Sequence, residues 1–147
     1  DPHRCTMTSK TLLSLALLSL AQAASAAPPP KATLLDFSTE ALLDSKSAIA
    51  MLGDGLPAKV WKVYAPSKYG FVSQVEGGLT ANNTCVVTAR VVMITLTPTM
   101  KAPLWRPQKT ATAFDAQPNS SSAQCKDLAK AKLKQAIEGV VSSLVKT

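Results

Sequence analysis

The chain has 147 residues, of which 46% are hydrophobic, 17% charged and 5% aromatic, with 16 lysine and arginine residues against 9 aspartate and glutamate residues. This length allows one modest domain and excludes a large multidomain enzyme. The apolar fraction is too high for a disordered tail, and the few aromatic residues do not suggest an aromatic-rich groove for carbohydrate or nucleic acid.

The N-terminal residues have the pattern of a secretory signal peptide. Met7 is followed by a short polar start, an apolar run over residues 12–21 and small residues that end near Ala26. A membrane anchor is the alternative, but this run is only about half as long as a bilayer-spanning helix requires. We therefore predict that residues 1–26, including those upstream of Met7, are removed by cleavage after Ala26, with Ala23 as a second site. The protein is then periplasmic or secreted and has no transmembrane segment.

Cleavage would change the chemistry available to the chain. His3, the one histidine, is removed, and the loss of two basic residues and one acidic residue changes the net charge from +7 to +6. Catalysis by Ser-His-Asp or Cys-His groups and zinc sites with histidine ligands are then excluded. The remaining carboxylates are scattered, and no phosphate-binding glycine motif is present. The sequence therefore predicts no catalytic residue, no metal site and no cofactor.

A proline-rich leader over residues 27–33 is predicted to be flexible and to precede a single α+β domain over residues 34–147. The first helix is predicted from about Ser38 to Leu52, because apolar residues recur there at helical spacing. Ser38 or Thr39 can cap this helix, and a glycine-rich stretch followed by a proline ends it.

Three antiparallel strands are predicted next, because apolar residues recur at a period of two and the connections are short. The first covers residues 59–64, and the second covers residues 69–76. A loop that contains Gly77 and Gly78 then leads to the third strand, Cys85–Leu96. The third is the longest apolar run after the leader, so we expect it to be central, with a dry face formed by its odd-numbered residues.

The segment 98–118 has the least regular pattern. Its prolines, among them Pro103 and Pro107, argue against regular structure over most of its length. The pattern leaves open a fourth, edge strand over residues 109–115, with Phe114 directed inward. The sheet is therefore predicted to have three or four strands.

The last helix carries the strongest local pattern. Ser121 and Gln124 match a capping box, and a continuous apolar stripe follows them. Two cysteines in an exported chain predict one disulfide, which would join Cys125 in the first turn of this helix to Cys85 at the start of the central strand. The predicted fold class is α+β: an N-terminal helix, a three- or four-stranded antiparallel meander and a C-terminal helix packed on the sheet.

A basic ridge on the last helix is the first candidate binding feature. Lys126, Lys130 and Lys134 recur every four residues and so share one helix face. Such a ridge is either a solvated face or a site for an anionic partner such as a lipid headgroup, an envelope polysaccharide or an acidic protein.

The second candidate lies in the proline-rich segment, where Lys101, Trp105 and Arg106 stand close together. Tryptophan and arginine on pre-ordered loops are favoured at protein interfaces, because they contribute large contact area at a small loss of entropy. Alternatively, Trp105 folds back and covers one end of the sheet.

The third candidate is the outer sheet face. If both helices pack on the odd-numbered face of the central strand, then Val92, Ile94 and Leu96 lie on the other face beside Val72. An apolar patch there would need to be covered by the proline-rich loop, by a ligand or by a second subunit, in which case the protein is a homodimer.

The leading functional hypothesis is an exported, disulfide-stabilised, non-enzymatic binding protein of a bacterial-type cell envelope or of the secreted space, which engages a protein or an anionic envelope component. Specific nucleic-acid binding is not expected, because the basic residues are dispersed and no reader motif is present. One alternative is a small carboxylate-dependent hydrolase or transferase, which would need a close pair of acidic side chains in a cleft. Another is a structural envelope protein that self-assembles through the outer sheet face.

Overall fold

A computed structural model describes residues 32–146, so the predicted signal peptide and most of the predicted leader lie outside the described residues. The four strands form one sheet in the order β1-β2-β3-β4, in which β1 is parallel to β2 and the other neighbours are antiparallel. The predicted α+β class is confirmed. The elements, in chain order, are β1 (Thr33–Asp36), α1 (Ser45–Gly55), α2 (Ala58–Val63), β2 (Tyr69–Leu79), β3 (Cys85–Leu96), β4 (Pro103–Gln117) and α3 (Ser122–Leu144).

The chain before α1 is extended, and this differs from the predicted start of the first helix at Ser38. The Ser38 hydroxyl donates to the Asp36 carboxylate at 2.6 Å and accepts the backbone N–H of Val75 at 2.9 Å. Because these bonds hold Ser38 against β2, it cannot cap a helix. Asp44 is the cap instead, and its carboxylate accepts the backbone N–H of Ser47 at 2.8 Å.

The prediction of a strand over residues 59–64 was wrong. The structure has the short helix α2 there. The buried or half-buried side chains are Val60, Trp61 and Tyr64, whereas Val63 is exposed. This is the spacing of one helix face, and in six residues it is easily mistaken for strand alternation. Pro57 is the N-cap of α2, where the helix does not need the backbone N–H that proline lacks.

Strand β2 is longer than predicted, since Gly77 and Gly78 lie inside it and not in a loop. They pair with Val87 and Val86 of β3 and have φ angles of +125° and +153°. A Cβ at Gly77 would overlap the carbonyl group of Val86, so the close approach of the two strands requires glycine there.

Strand β4 is the fourth, edge strand, and it is longer than the predicted range 109–115. It begins at Pro103 and contains Pro107, so the expectation that these prolines prevent regular structure was wrong. An edge strand tolerates proline because only one of its sides donates to the sheet. The inward direction predicted for Phe114 was also wrong: its side chain is 63% exposed, and Ala111 and Ala113 are the residues that face the core.

Helix α3 packs on the sheet face formed by the odd-numbered residues of β3, which confirms the predicted dry face. The predicted capping box is confirmed as well: the Ser121 hydroxyl accepts from the Gln124 N–H at 3.2 Å, and the Gln124 side chain accepts from the Ser121 N–H at 2.8 Å. The predicted disulfide, Cys85–Cys125, is present, and both cysteines are buried. It fixes the first turn of α3 to the first residue of β3.

Candidate functional site

The β3–β4 hairpin ends in a turn that its own hydrogen bonds close. The Thr97 N–H donates to the Ala102 carbonyl at 2.8 Å, and the Thr97 hydroxyl accepts the Ala102 N–H at 2.8 Å. Lys101 has a left-handed backbone with φ of +54°, and its ammonium group donates to the Pro98 carbonyl at 2.7 Å. We call residues 97–109, the turn and the first part of β4, the hairpin tip.

A β-bulge directs two of the predicted binding residues away from the sheet. Leu104 and Pro107 pair with consecutive residues of β3, so Trp105 and Arg106 are two extra residues inserted between them. A second register shift follows on the other side of Ile94. Bulges of this kind are common at sheet edges, where they change the direction of side chains. Trp105 is 60% exposed, so it does not cover the end of the sheet.

The hairpin tip combines exposed apolar side chains with positive charge. Met100 is 79% exposed, and Leu104 is also exposed beside the bulge. The tip contains three cations, Lys101, Arg106 and Lys109, all on exposed residues. Trp105, Arg106 and Lys101 are the residues that the sequence predicted for this site, and Met100, Leu104 and Lys109 join them because they are exposed.

A fourth cation, Lys68, lies at this end of the sheet, in the turn before β2. The Lys68 carbonyl accepts the backbone N–H of Leu96 at 2.8 Å, which places the turn before β2 beside the hairpin tip. Neither segment that forms this end, residues 64–75 and 77–114, contains an aspartate or glutamate. The positive charge of Lys68 and of the tip is therefore not balanced by nearby carboxylates along either segment.

A groove of about 360 Å³ lies between the Lys68 turn and the hairpin tip. Two lysines, Lys68 and Lys101, line it together with Ser67, Tyr69 and Thr95. The Thr95 hydroxyl oxygen is buried and has no hydrogen-bond partner among the described residues. Since buried hydroxyl groups are normally hydrogen-bonded, the Thr95 hydroxyl is an exception among the described residues, and it lies below the groove surface. The groove can accept an anionic group of moderate size.

The predicted ridge of Lys126, Lys130 and Lys134 is exposed on α3, but carboxylates accompany it. Hydrogen bonds from Ser47 lower the pKa of Asp44, and the nearby charge of Lys130 lowers it further. Lys134 shares a groove of about 380 Å³ between α1 and α3 with two acidic residues. The positive charge of the ridge is therefore partly balanced, whereas the segments 64–75 and 77–114 contain no carboxylate that would balance the hairpin tip.

The α1–α3 groove also bears on the hydrolase alternative, because its two acidic residues are Asp54 and Glu138. Both residues are exposed, as is Lys134, which lines the same groove. Acid–base catalysis by two carboxyl groups depends on environments that drive their pKa values apart, and burial is the usual means. Among residues 32–146, the lining of this groove contains no buried carboxyl group.

The outer sheet face is apolar where it was predicted to be, but its side chains are buried. Val72, Val92 and Ile94 form a small second cluster with Leu35 of β1, and Ile94 is 0% exposed. A homodimer through this face would need these side chains to be accessible. Exposed apolar area on the outer face is provided instead by Phe114 of β4.

Two further properties hold for residues 32–146. No helix in this range is both long and apolar enough to cross a membrane. No three histidine, cysteine, aspartate or glutamate residues in this range come together as a metal site would require.

The chain matches no protein-family model and no curated protein. Among solved structures, it is similar to the PelC dodecamer from Paraburkholderia phytofirmans, with 13% identity over 78% of this chain and 93% of that one and a TM-score of 0.41. It is also similar to a DUF330 protein from Xanthomonas campestris, with 16% identity, coverage of 81% and 87% and a TM-score of 0.39. A candidate lipoprotein from Caulobacter crescentus CB15 has 14% identity, coverage of 76% and 86% and a TM-score of 0.38. At this level, likeness identifies neither a family nor a function.

Proposed function

We propose that the protein is an exported, non-enzymatic binding protein whose hairpin tip engages an anionic partner in the cell envelope or the secreted space. The observation that carries this proposal is the bulge, which exposes Trp105 and Arg106 together in a region without carboxylates. Large exposed aromatic and arginine side chains are the residues that contribute most to interfaces. The buried disulfide supports a periplasmic or secreted location, because such bonds persist in oxidising compartments.

The form of the site favours binding over catalysis. The tip protrudes from one end of the sheet, and its apolar and basic side chains are exposed. A catalytic site holds its reacting groups in a concave pocket from which water is excluded. A protruding surface instead offers contact area and charge to a partner, which is the requirement for recognition.

The hairpin tip is preferred over the lysine ridge because of its charge environment. The ridge contributes three exposed lysines, but Asp44, Asp54 and Glu138 lie along the same side of the molecule. An anionic partner at the ridge would meet repulsion from these carboxylates as well as attraction from the lysines. At the tip, the segments 64–75 and 77–114 contain no carboxylate that would oppose the attraction.

A binding experiment with an envelope extract tests the proposal. The oxidised protein is immobilised, incubated with extract from the organism that makes it and washed at low and high salt. The tip variant, Trp105→Ser with Arg106→Ser, should lose most of the captured material. The ridge variant, Lys126→Gln with Lys130→Gln and Lys134→Gln, should keep it, although this variant loses more positive charge.

Chemical denaturation of each variant shows that its fold is retained, since all five substituted residues are exposed. The proposal is overturned if the tip variant captures the same material as the unmodified protein. It is also overturned if only the ridge variant loses capture.

A further inference from the structure

We infer that the anionic partner is the surface of a phospholipid bilayer, into which the hairpin tip inserts Trp105, Met100 and Leu104 while the adjacent groove takes a phosphate headgroup. This inference rests on the proposed function and names its partner. It depends on the arrangement of three kinds of side chain at one end of the sheet: apolar, cationic and hydroxyl.

The apolar side chains have the composition of an interfacial anchor. Trp105 is large and amphipathic, and rings of this kind prefer the headgroup level of a bilayer. Met100 and Leu104 are exposed beside it on the same hairpin. Since the turn is closed by its own hydrogen bonds and the strand is stiffened by Pro103 and Pro107, little entropy is lost when these side chains insert.

The cations are placed where the headgroups of an inserted tip would lie. Lys101, Arg106 and Lys109 belong to the tip itself, and Lys68 lies on the turn beside it. Each lysine or arginine near an anionic membrane surface strengthens binding by roughly five-fold. No aspartate or glutamate in the segments 64–75 and 77–114 opposes this attraction.

The groove provides the specific contact with phosphate. Lys68, Lys101 and Ser67 supply hydrogen-bond donors among its lining residues, which include no carboxylate. Lysine ammonium groups bind phosphate as point charges, so they do not need the planar geometry that arginine requires. The groove volume of about 360 Å³ suits a headgroup and excludes a folded domain.

A protein partner that adds a strand to the exposed edge of β4 is disfavoured at the tip. Strand addition needs backbone N–H donors on the free edge, and Pro103 and Pro107 have none. Lys109 places a charge on the same stretch, which is a common protection of edge strands against pairing. Side chains, not the backbone, are therefore the recognition elements here.

Vesicle binding by the oxidised, exported protein tests the inference. Equimolar phosphatidylglycerol and phosphatidylcholine vesicles should bind the protein in sedimentation, and vesicles of phosphatidylcholine alone should bind it far less. Tryptophan emission should shift to shorter wavelength with the mixed vesicles. The Trp105→Phe variant should lack this shift, because its remaining Trp61 is already half-buried in the core.

A matched pair of charge variants separates the tip from general positive charge. Lys68→Asn with Lys101→Asn should weaken binding to mixed vesicles by roughly 30-fold, the effect of two cations at the surface. Asparagine is chosen because it tolerates the left-handed backbone of Lys101. Lys126→Gln with Lys130→Gln removes the same charge from the ridge and should change binding by less than about three-fold.

Four results of these experiments would overturn the lipid inference. The lipid inference is overturned if the mixed vesicles do not bind, if the two charge variants bind alike or if the Trp105 emission does not shift. If inorganic phosphate binds the protein while the mixed vesicles do not, the partner is a soluble phosphate compound and the inference also fails. In all of these cases, tip-dependent capture of a lipid-free protein from the extract leaves the proposed function intact.

Discussion

Gly139 of α3 lies directly above Ala111 of β4, and a Cβ atom placed on Gly139 would be 3.0 Å from the Cβ of Ala111. Two small residues therefore set the distance between the last helix and the edge strand. This close packing keeps the inward side of β4 in contact with the core, while Trp105 and Phe114 on the same strand are exposed.

A larger side chain at Gly139 should separate the helix from the strand. We expect Gly139→Leu to lower the free energy of unfolding by about 1 to 3 kcal/mol, because the packed interface must shift to accommodate it. Urea unfolding followed by circular dichroism measures the change. Ala131→Leu, at an exposed position of the same helix, is the control and should be close to neutral. Equal stability of the two variants would contradict a tight contact at Ala111.

The paired glycines of β2 offer a second comparison. Both have positive φ angles, so alanine is strained at either position. Only at Gly77 would the added Cβ overlap the backbone of β3, since nothing lies within 4 Å of a Cβ at Gly78. Gly77→Ala should therefore cost roughly 1 to 3 kcal/mol, and Gly78→Ala distinctly less. Denaturant unfolding of the two variants side by side checks this order, and equal or reversed costs would contradict the overlap with the Val86 carbonyl.

The disulfide should contribute a large share of the stability. It closes a loop with a sequence separation of 40 residues, for which chain entropy predicts about 4 kcal/mol. Cys85→Ala with Cys125→Ala should lower the unfolding free energy by about this amount, and the reduced wild type should unfold close to the variant. An unchanged denaturation midpoint in the variant would show that the unfolded chain is already restricted without the bond.

The ion pair between Lys132 and Asp115 should make stability depend on acid pH. Hydrogen bonding from Lys132, and then from the Ala116 N–H, lowers the pKa of Asp115 below its ordinary value of 3.8. The pair therefore stabilises the fold fully above that value, and the contribution is lost as the pH falls through the lower pKa of the folded state.

Asp115→Asn should flatten this acid dependence. Between about pH 5 and about pH 2, the wild type should lose more unfolding free energy than the variant does. Lys132→Gln should flatten the same part of the profile, because it removes the donor that lowers the pKa of Asp115. Parallel profiles for the wild type and both variants would mean that the pair makes no net contribution in solvent, as many exposed pairs do not.

Only part of the candidate site could be predicted from the sequence. Trp105, Arg106 and Lys101 were selected because their residue types on a proline-rich segment are typical of interfaces. The contribution of Lys68 could not be predicted, because it depends on the backbone hydrogen bond that places the turn before β2 beside the end of β3. The bulge could not be predicted from the sequence either. It depends on the register between β3 and β4, which is set by pairing across the hairpin and not by the local spacing of residues.

Long elements with an unbroken pattern were determined by the sequence itself. Strand β3, helix α3, its capping box and the disulfide follow from local signals, because each repeats over many residues or involves a unique pair. Short or edge elements were decided only by the tertiary structure. β1 and α2 are too short for periodicity to distinguish a strand from a helix. Phe114 is directed outward because Ala111 and Ala113 occupy the side of β4 that packs on the core. Their conformations come from burial against neighbours that are distant in the sequence, and local residue patterns carry little record of those neighbours.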